Sequence, residues 1–112
     1  MADPLPLLKG TLDVLVLKAL SWHAMHGFEI TVWLEDHSGG QLAIDDGALY
    51  QALHRMEERR LIKPEWGITE NNRRARYYKL TATGRTHLRD ESASLVRYAR
   101  TVMTILAAHP AR

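Results

Sequence analysis

From Thr11 to Ser21 apolar side chains run almost without interruption through Leu12, Val14, Leu15, Val16, Leu17, Ala19 and Leu20, with only Asp13 and Lys18 between them. That length without a turn signal predicts a helix, and a helix apolar on nearly all sides needs cover on more than one face. A single small domain is expected to cover one face, which leaves the other to an appended helix or a second subunit. His23-Ala-Met-His-Gly27 breaks the pattern. Phe28, Ile30, Thr31, Trp33 and Leu34 then have the spacing of a short helix ending near His37, stopped by Ser38-Gly39-Gly40. Asp45 suits the N-cap of a third helix, with Asp46 adding negative charge at its positive end. On that helix Leu49, Leu53, Met56 and the aliphatic stem of Arg60 share one face, with Ala52 at its margin, and Tyr50, Gln51, His54 and Glu58 lie away from it.

Leu61-Ile-Lys-Pro-Glu-Trp-Gly67 is too short and too interrupted for a helix and reads as an edge strand, where Pro64 is tolerated. Asn71-Asn72 is a turn signal, and Arg76-Tyr-Tyr-Lys-Leu80 has the preferences of a returning strand. Together they predict a two-stranded hairpin with an arginine-rich tip. Thr81 or Thr83 caps a last helix reaching about Ala108, ahead of Pro110. In it Leu88, Ser92, Leu95, Ala99, Val102 and Leu106 alternate at heptad-like spacing, with Val96 and Met103 alongside. Part of this seam is expected to pack on its own domain and much of it on a second copy, with Arg89, Arg97 and Arg100 on polar faces.

At 112 residues the chain has room for one domain and at most one appended element. The absence of cysteine removes disulfides, thiolate metal sites and cysteine nucleophiles. Met1-Ala-Asp-Pro-Leu-Pro6 lacks a basic stretch followed by an apolar run, and no window is long and apolar enough to span a bilayer, so a cytoplasmic protein without a membrane partner is expected. The net charge of +2 conceals an asymmetry. Residues 1–54 carry two basic and seven acidic side chains, whereas residues 55–100 carry twelve basic and six acidic. Arg73, Arg74, Arg76, Lys79, Arg85 and Arg89 follow one another with no acidic residue among them. Arginine dominance points to phosphate, whose geometry a guanidinium matches bidentately.

The order helix, helix, helix, hairpin, long helix is the layout of a winged helix-turn-helix, a mainly α (α+β) fold with a two-stranded wing and one long C-terminal dimerisation helix. Residues 1–82 would form the DNA-binding domain and residues 83–112 the dimerisation helix. In that layout the third helix presents side chains to the major groove of double-stranded DNA and the hairpin tip reaches the backbone or minor groove.

Leu8-Lys-Gly-Thr-Leu-Asp-Val-Leu-Val-Leu-Lys18, Met25-His-Gly-Phe28, Gly47-Ala-Leu-Tyr-Gln-Ala-Leu-His-Arg-Met56 and Arg76-Tyr-Tyr-Lys-Leu-Thr-Ala-Thr-Gly84 together resemble the PadR family of transcriptional regulators. The hairpin text Glu65-Trp-Gly-Ile-Thr-Glu-Asn-Asn-Arg-Arg-Ala75 is similar to a short, acidobacterial-type branch with a single C-terminal helix. The resemblance implies a homodimeric repressor whose C-terminal helix pairs with the first helix of its partner, placing Leu12, Leu15, Leu88, Leu95, Ala99, Val102 and Leu106 at the dimer interface. It implies DNA contacts at Gly47, Tyr50, Gln51 and His54 on the third helix and at Arg73, Arg74 and Arg76 on the wing. Asp45, Asp46 and Gln51 stand where relatives often carry Ser-Pro before the glycine and Pro after the tyrosine; capping would turn Asp45 toward backbone amides. Some relatives bind flat aromatic molecules at the dimer interface, so a small-molecule effector there, and a transporter operon as target, are implied by the resemblance as well.

Two other classes compete. His23, His26 and Glu29 are spaced three apart and with His37 or His54 could form a metal or acid–base cluster, but His23 and His26 belong to a turn between helices, and no zinc-protease helix, phosphate loop or serine elbow accompanies them. The expectation is therefore no catalytic residue, no metal and no cofactor, with a metal-responsive regulator as the variant of this reading. A winged-helix module that binds only proteins would use the apolar end helices, yet would have no need of the basic run after Asn71. Trp33 and Trp66 are expected in core or hairpin packing, Trp22 follows the doubly covered helix, and Tyr98 is the only aromatic of the last helix.

Overall fold

The computed structural model describes residues 5, 7–8 and 10–111; the Pro4 and Pro6 segment, Lys9 and Arg112 lie outside them. The element order is α1 (Thr11–Leu20), β1 (Met25–His26), α2 (Gly27–His37), α3 (Asp46–Glu58), β2 (Ile62–Ile68), β3 (Arg74–Leu80) and α4 (Ala82–Leu106). Local chemistry sets most of these boundaries. The Asp45 carboxylate accepts from the Ala48 amide at 2.9 Å and starts α3, and the Thr81 hydroxyl accepts from the Gly84 amide at 2.9 Å and starts α4. Gly39 and Gly40, with φ of 62° and 78°, take the chain out of α2 in a conformation that side-chain-bearing residues avoid.

The hairpin differs from the sequence expectation in two respects: the returning strand begins at Arg74 rather than Arg76, and its two strands belong to a three-stranded antiparallel sheet of order β1-β3-β2. Met25 pairs with Tyr78 and His26 with Tyr77. The His23-to-Gly27 break thus contains a strand of two residues, held by a partner far along the chain. β2 remains an edge strand, as Pro64 requires, with Pro64 opposite Tyr78. His26 also caps α2: its Nδ1 accepts from the Glu29 amide at 3.3 Å while the Glu29 carboxylate accepts from the His26 amide at 3.1 Å.

The core joins Leu12, Val16, Leu17 and Leu20 of α1 to Ile30 and Leu34 of α2, to Leu49, Leu53 and Met56 of α3, and to Met25, Ile62, Tyr78 and Leu80 of the sheet. α1 is the central helix, packed by α2, α3, α4 and β3. Its second cover therefore comes from within the protomer: α4 is the appended helix that the sequence offered as the alternative to a second subunit. α4 itself runs 25 residues and has only Gly84 fully buried. Leu88 packs against the core, whereas Val96, Tyr98, Val102, Met103, Ile105 and Leu106 are exposed. Arg60 does not extend the packed face of α3 as expected; it stands beyond the helix end, exposed, with φ of 61° in the turn to β2.

Candidate nucleic-acid interface

Burial of Leu49, Ala52, Leu53 and Met56 fixes the rotation of α3 and leaves Gly47, Tyr50, Gln51 and His54 exposed on its opposite side. Asp45 is occupied in the cap, and a Cβ at Gly47 would stand 3.1 Å from its carboxylate oxygen. Gly47 thus serves the helix start whatever else approaches it. Tyr50 lies across Gly27, where a Cβ would come within 2.9 Å of the phenol oxygen, so a side chain at position 27 would displace the tyrosine tip. Farther along, the His54 imidazole meets Glu58 at 3.0 Å with both side chains exposed. Arg55 reaches Asp13 of α1 at 2.8 Å and braces α3 against the central helix.

The wing rises beside this face. Its turn is held by the Thr69 amide donating to the Arg73 carbonyl at 2.8 Å and the Asn72 amide donating to the Thr69 carbonyl at 2.9 Å, with Asn72 at φ of 60°. Asn71-Asn72 therefore marks the turn as the sequence suggested, since asparagine tolerates that region. Between the wing, Tyr50 and the start of α2 runs an open groove of about 740 Å³, lined among others by Phe28, Arg73, Arg74 and Arg76.

The three wing arginines are not equivalent. The Arg76 guanidinium bonds Glu57 of α3 at 3.0 Å and lies 5.6 Å from the centre of the Tyr78 ring. Arg74 lies over the Trp66 ring, 4.5 Å from its centre. Among the described residues neither Arg73 nor Arg74 makes an ion pair. Burial raises the Tyr78 phenol above its ordinary pKa, with Glu57 adding to the rise and Arg76 opposing it.

His23, His26 and Glu29 do not converge with His37 or His54: His26 and Glu29 are engaged in the α2 cap, and among the described residues no group of three potential ligands could hold a metal ion. His37 stacks on Trp33 at 3.8 Å between ring centres, and Trp22 meets both rings edge-on at 6.0 and 5.7 Å. Trp33 is half-buried against the core as expected, and Trp66 is exposed on the hairpin with Arg74 of the facing strand over its ring. Of the residues expected at a dimer interface, Leu12 is buried in the protomer's own core, Leu15 and Leu88 are partly buried against it, and Leu95 is half-buried. Ala99, Val102 and Leu106 are exposed. The Arg76 to Glu57 bridge and the Trp66 to Arg74 stack escaped sequence reasoning, because each joins residues from separate elements and neither has a local signature.

Three helices, a basic hairpin and a polar, exposed third-helix face define a winged-helix DNA-binding protein of the transcription-regulator class. Residues 16–90 match the transcriptional regulator PadR-like family, and the chain belongs to it. It is similar to a crystal structure of a PadR-like transcriptional regulator from Bacillus cereus, with 25% identity, a TM-score of 0.78, and coverage of 91% of this chain and 97% of that one. A PadR family transcriptional regulator from Eggerthella lenta is similar at 28% identity and a TM-score of 0.75, over 90% of this chain and 86% of that one. Sequence similarity also extends to an uncharacterized 37.1 kDa protein in transposon TN4556 of Streptomyces fradiae, 38% identical over 76% of this chain but spanning only 23% of that protein. Among the described residues no helix is long and apolar enough to cross a membrane.

Proposed function

We propose that this PadR-like regulator is a homodimeric repressor that binds a palindromic operator, with α3 in the major groove and the wing on the flanking backbone. The observation that carries the reading is the juxtaposition of the exposed Gly47, Tyr50, Gln51 and His54 face with Arg73 and Arg74, two guanidinium groups without an ion-pair partner among the described residues. Phosphate contacts from Arg73, Arg74 and the Tyr50 hydroxyl set affinity, and Gln51 and His54 reach base edges or sugar and set preference. Arg76 contributes less, because Glu57 already neutralises it.

Residues 1–82 act as the DNA-binding domain and residues 83–112 as the dimerisation helix. The apolar distal half of α4, exposed from Val96 to Leu106, supports this division, since none of the described residues of the protomer covers it. A second copy would bury that stripe and space two α3 helices for two half-sites. The dimer interface is also where an effector would bind, and the protein works in the cytoplasm on the DNA of its own cell, without a cofactor or a metal.

An electrophoretic shift assay on the DNA upstream of the protein's own gene tests the reading. A discrete shifted band that survives excess random competitor DNA is expected. Equal displacement by random and upstream DNA contradicts it.

A further inference from the structure

The wing presents a second chemistry besides its charge. In an antiparallel pair, residues directly opposite each other share a face. The face that buries Ile62, Leu80 and Tyr78 therefore continues outward through Pro64 to Trp66 opposite Arg76 and Ile68 opposite Arg74. Past Tyr78 the core has ended, yet the pattern stays apolar: Trp66 is 60% and Ile68 61% exposed. An indole and a branched aliphatic side chain on the projecting part of a hairpin, with no core beneath them, stabilise the free protein little. Arg74 covers one side of the indole, 4.5 Å from the ring centre. With its charge over the ring and no ion pair among the described residues, the Arg74 guanidinium keeps N–H groups available as donors. The Arg76 to Glu57 bridge at 3.0 Å ties the same face to α3.

We infer that Trp66, with Ile68, is a DNA-contacting wedge whose indole packs against the sugar and base edges of the minor groove while orienting Arg74 toward a phosphate. The inference rests on the DNA-binding reading above and deepens it. Charge selects the occupant: Arg74 and Arg76 stand opposite Ile68 and Trp66 on the same face, while strand alternation sends Glu65 to the other, so the patch suits a polyanion with apolar edges. The wing then contributes more than a salt-dependent term. Apolar contact with groove walls depends on groove width and deformability and discriminates among sequences without hydrogen bonds.

The test reads Trp66 directly. Subtracting the emission of Trp66→Phe from that of the wild-type protein isolates Trp66 without altering Trp22 or Trp33, and fluorescently labelled upstream DNA reports binding in the same samples. With DNA bound, quenching of the Trp66 component by acrylamide is expected to fall at least roughly threefold, as for an indole moved from solvent into a contact. Trp66→Ala should lower affinity by roughly tenfold, about 1.4 kcal/mol, and Trp66→Phe should restore most of it. DNA binding with unchanged quenching of Trp66 overturns the wedge and leaves the functional reading standing. Protection of Trp66 already present without DNA assigns the face to a second copy and overturns the wedge as well. Absence of DNA binding overturns both.

Discussion

The Arg76 guanidinium stands 3.0 Å from the Glu57 carboxylate and so fastens the wing strand β3 to the last turn of α3. The pair sets the angle between the two parts of the interface and removes one cation from the pool available to phosphate. Both side chains retain solvent access, so the bond itself should contribute less than about 1 kcal/mol to stability. Arg76→Ala is expected to weaken DNA binding less than Arg73→Ala or Arg74→Ala, and Glu57→Gln to strengthen it by releasing Arg76. Anisotropy titrations of the four variants check the order; a larger loss from Arg76→Ala than from Arg74→Ala contradicts it.

Gly84 sits in the first turn of α4, where a Cβ would overlap the Leu61 carbonyl oxygen. The same carbonyl accepts from the Thr81 amide and hydroxyl, both at 3.1 Å, so it has little freedom to withdraw. Helix propensity alone would make Gly84→Ala stabilising by about 1 kcal/mol. The steric term opposes and exceeds it: a net loss of about 1–3 kcal/mol is expected, as for other overpacked sites. Urea or thermal unfolding decides the sign.

These two sites show what was legible in the chain and what was not. The helix start at Asp45, the Gly39-Gly40 stop and the polar face of α3 depend on neighbours within one or two turns, so the sequence carries them, and it narrows the α4 cap to Thr81 or Thr83, of which Thr81 is used. β1 depends on Tyr77 and Tyr78, and a strand of two residues leaves no periodicity to read. Its first helix neighbour is capped by a histidine, outside the usual serine, threonine, aspartate and asparagine vocabulary. Arg60 appears helical by spacing, yet its positive φ places it in the turn. The need of α1 for a second cover is legible in its apolar run, but that α4 rather than a second copy supplies it is a tertiary fact; so is the division of roles among the wing arginines, set by which carboxylate or ring each side chain meets.

Tyr78 links the interface to alkaline stability. Its phenol is raised above 10.0 chiefly by burial. For a group whose pKa is higher in the folded state, stability is fully present below the unfolded value and declines as pH rises from about 10 through the folded value. Thermal unfolding between neutral pH and strongly alkaline pH should show this decline, and Tyr78→Phe should reduce it. Since Arg76 opposes the rise, Arg76→Ala should move the Tyr78 titration, followed by phenolate absorbance, further upward.

The exposed stripe of α4 gives the assembly its test. Val102→Glu combined with Leu106→Glu alters side chains that touch nothing needed by the protomer's own core. Placing two carboxylates in the proposed interface should weaken dimerisation by roughly a hundredfold or more, about 3 kcal/mol. Sedimentation velocity should then show a monomer of unchanged helical content. A wild-type protein that is monomeric at micromolar concentration contradicts the dimer.

DNA affinity as a function of salt concentration addresses the central claim. If roughly three to four basic groups per subunit reach phosphate, the logarithm of the binding constant should fall with the logarithm of salt concentration at a slope of about −5 to −7. Replacing Arg73 and Arg74 together removes about four contacts from a dimer and should flatten the slope to about −2 to −4. A wild-type slope near zero, or a double variant whose slope matches the wild type, would contradict an arginine-anchored wing on DNA.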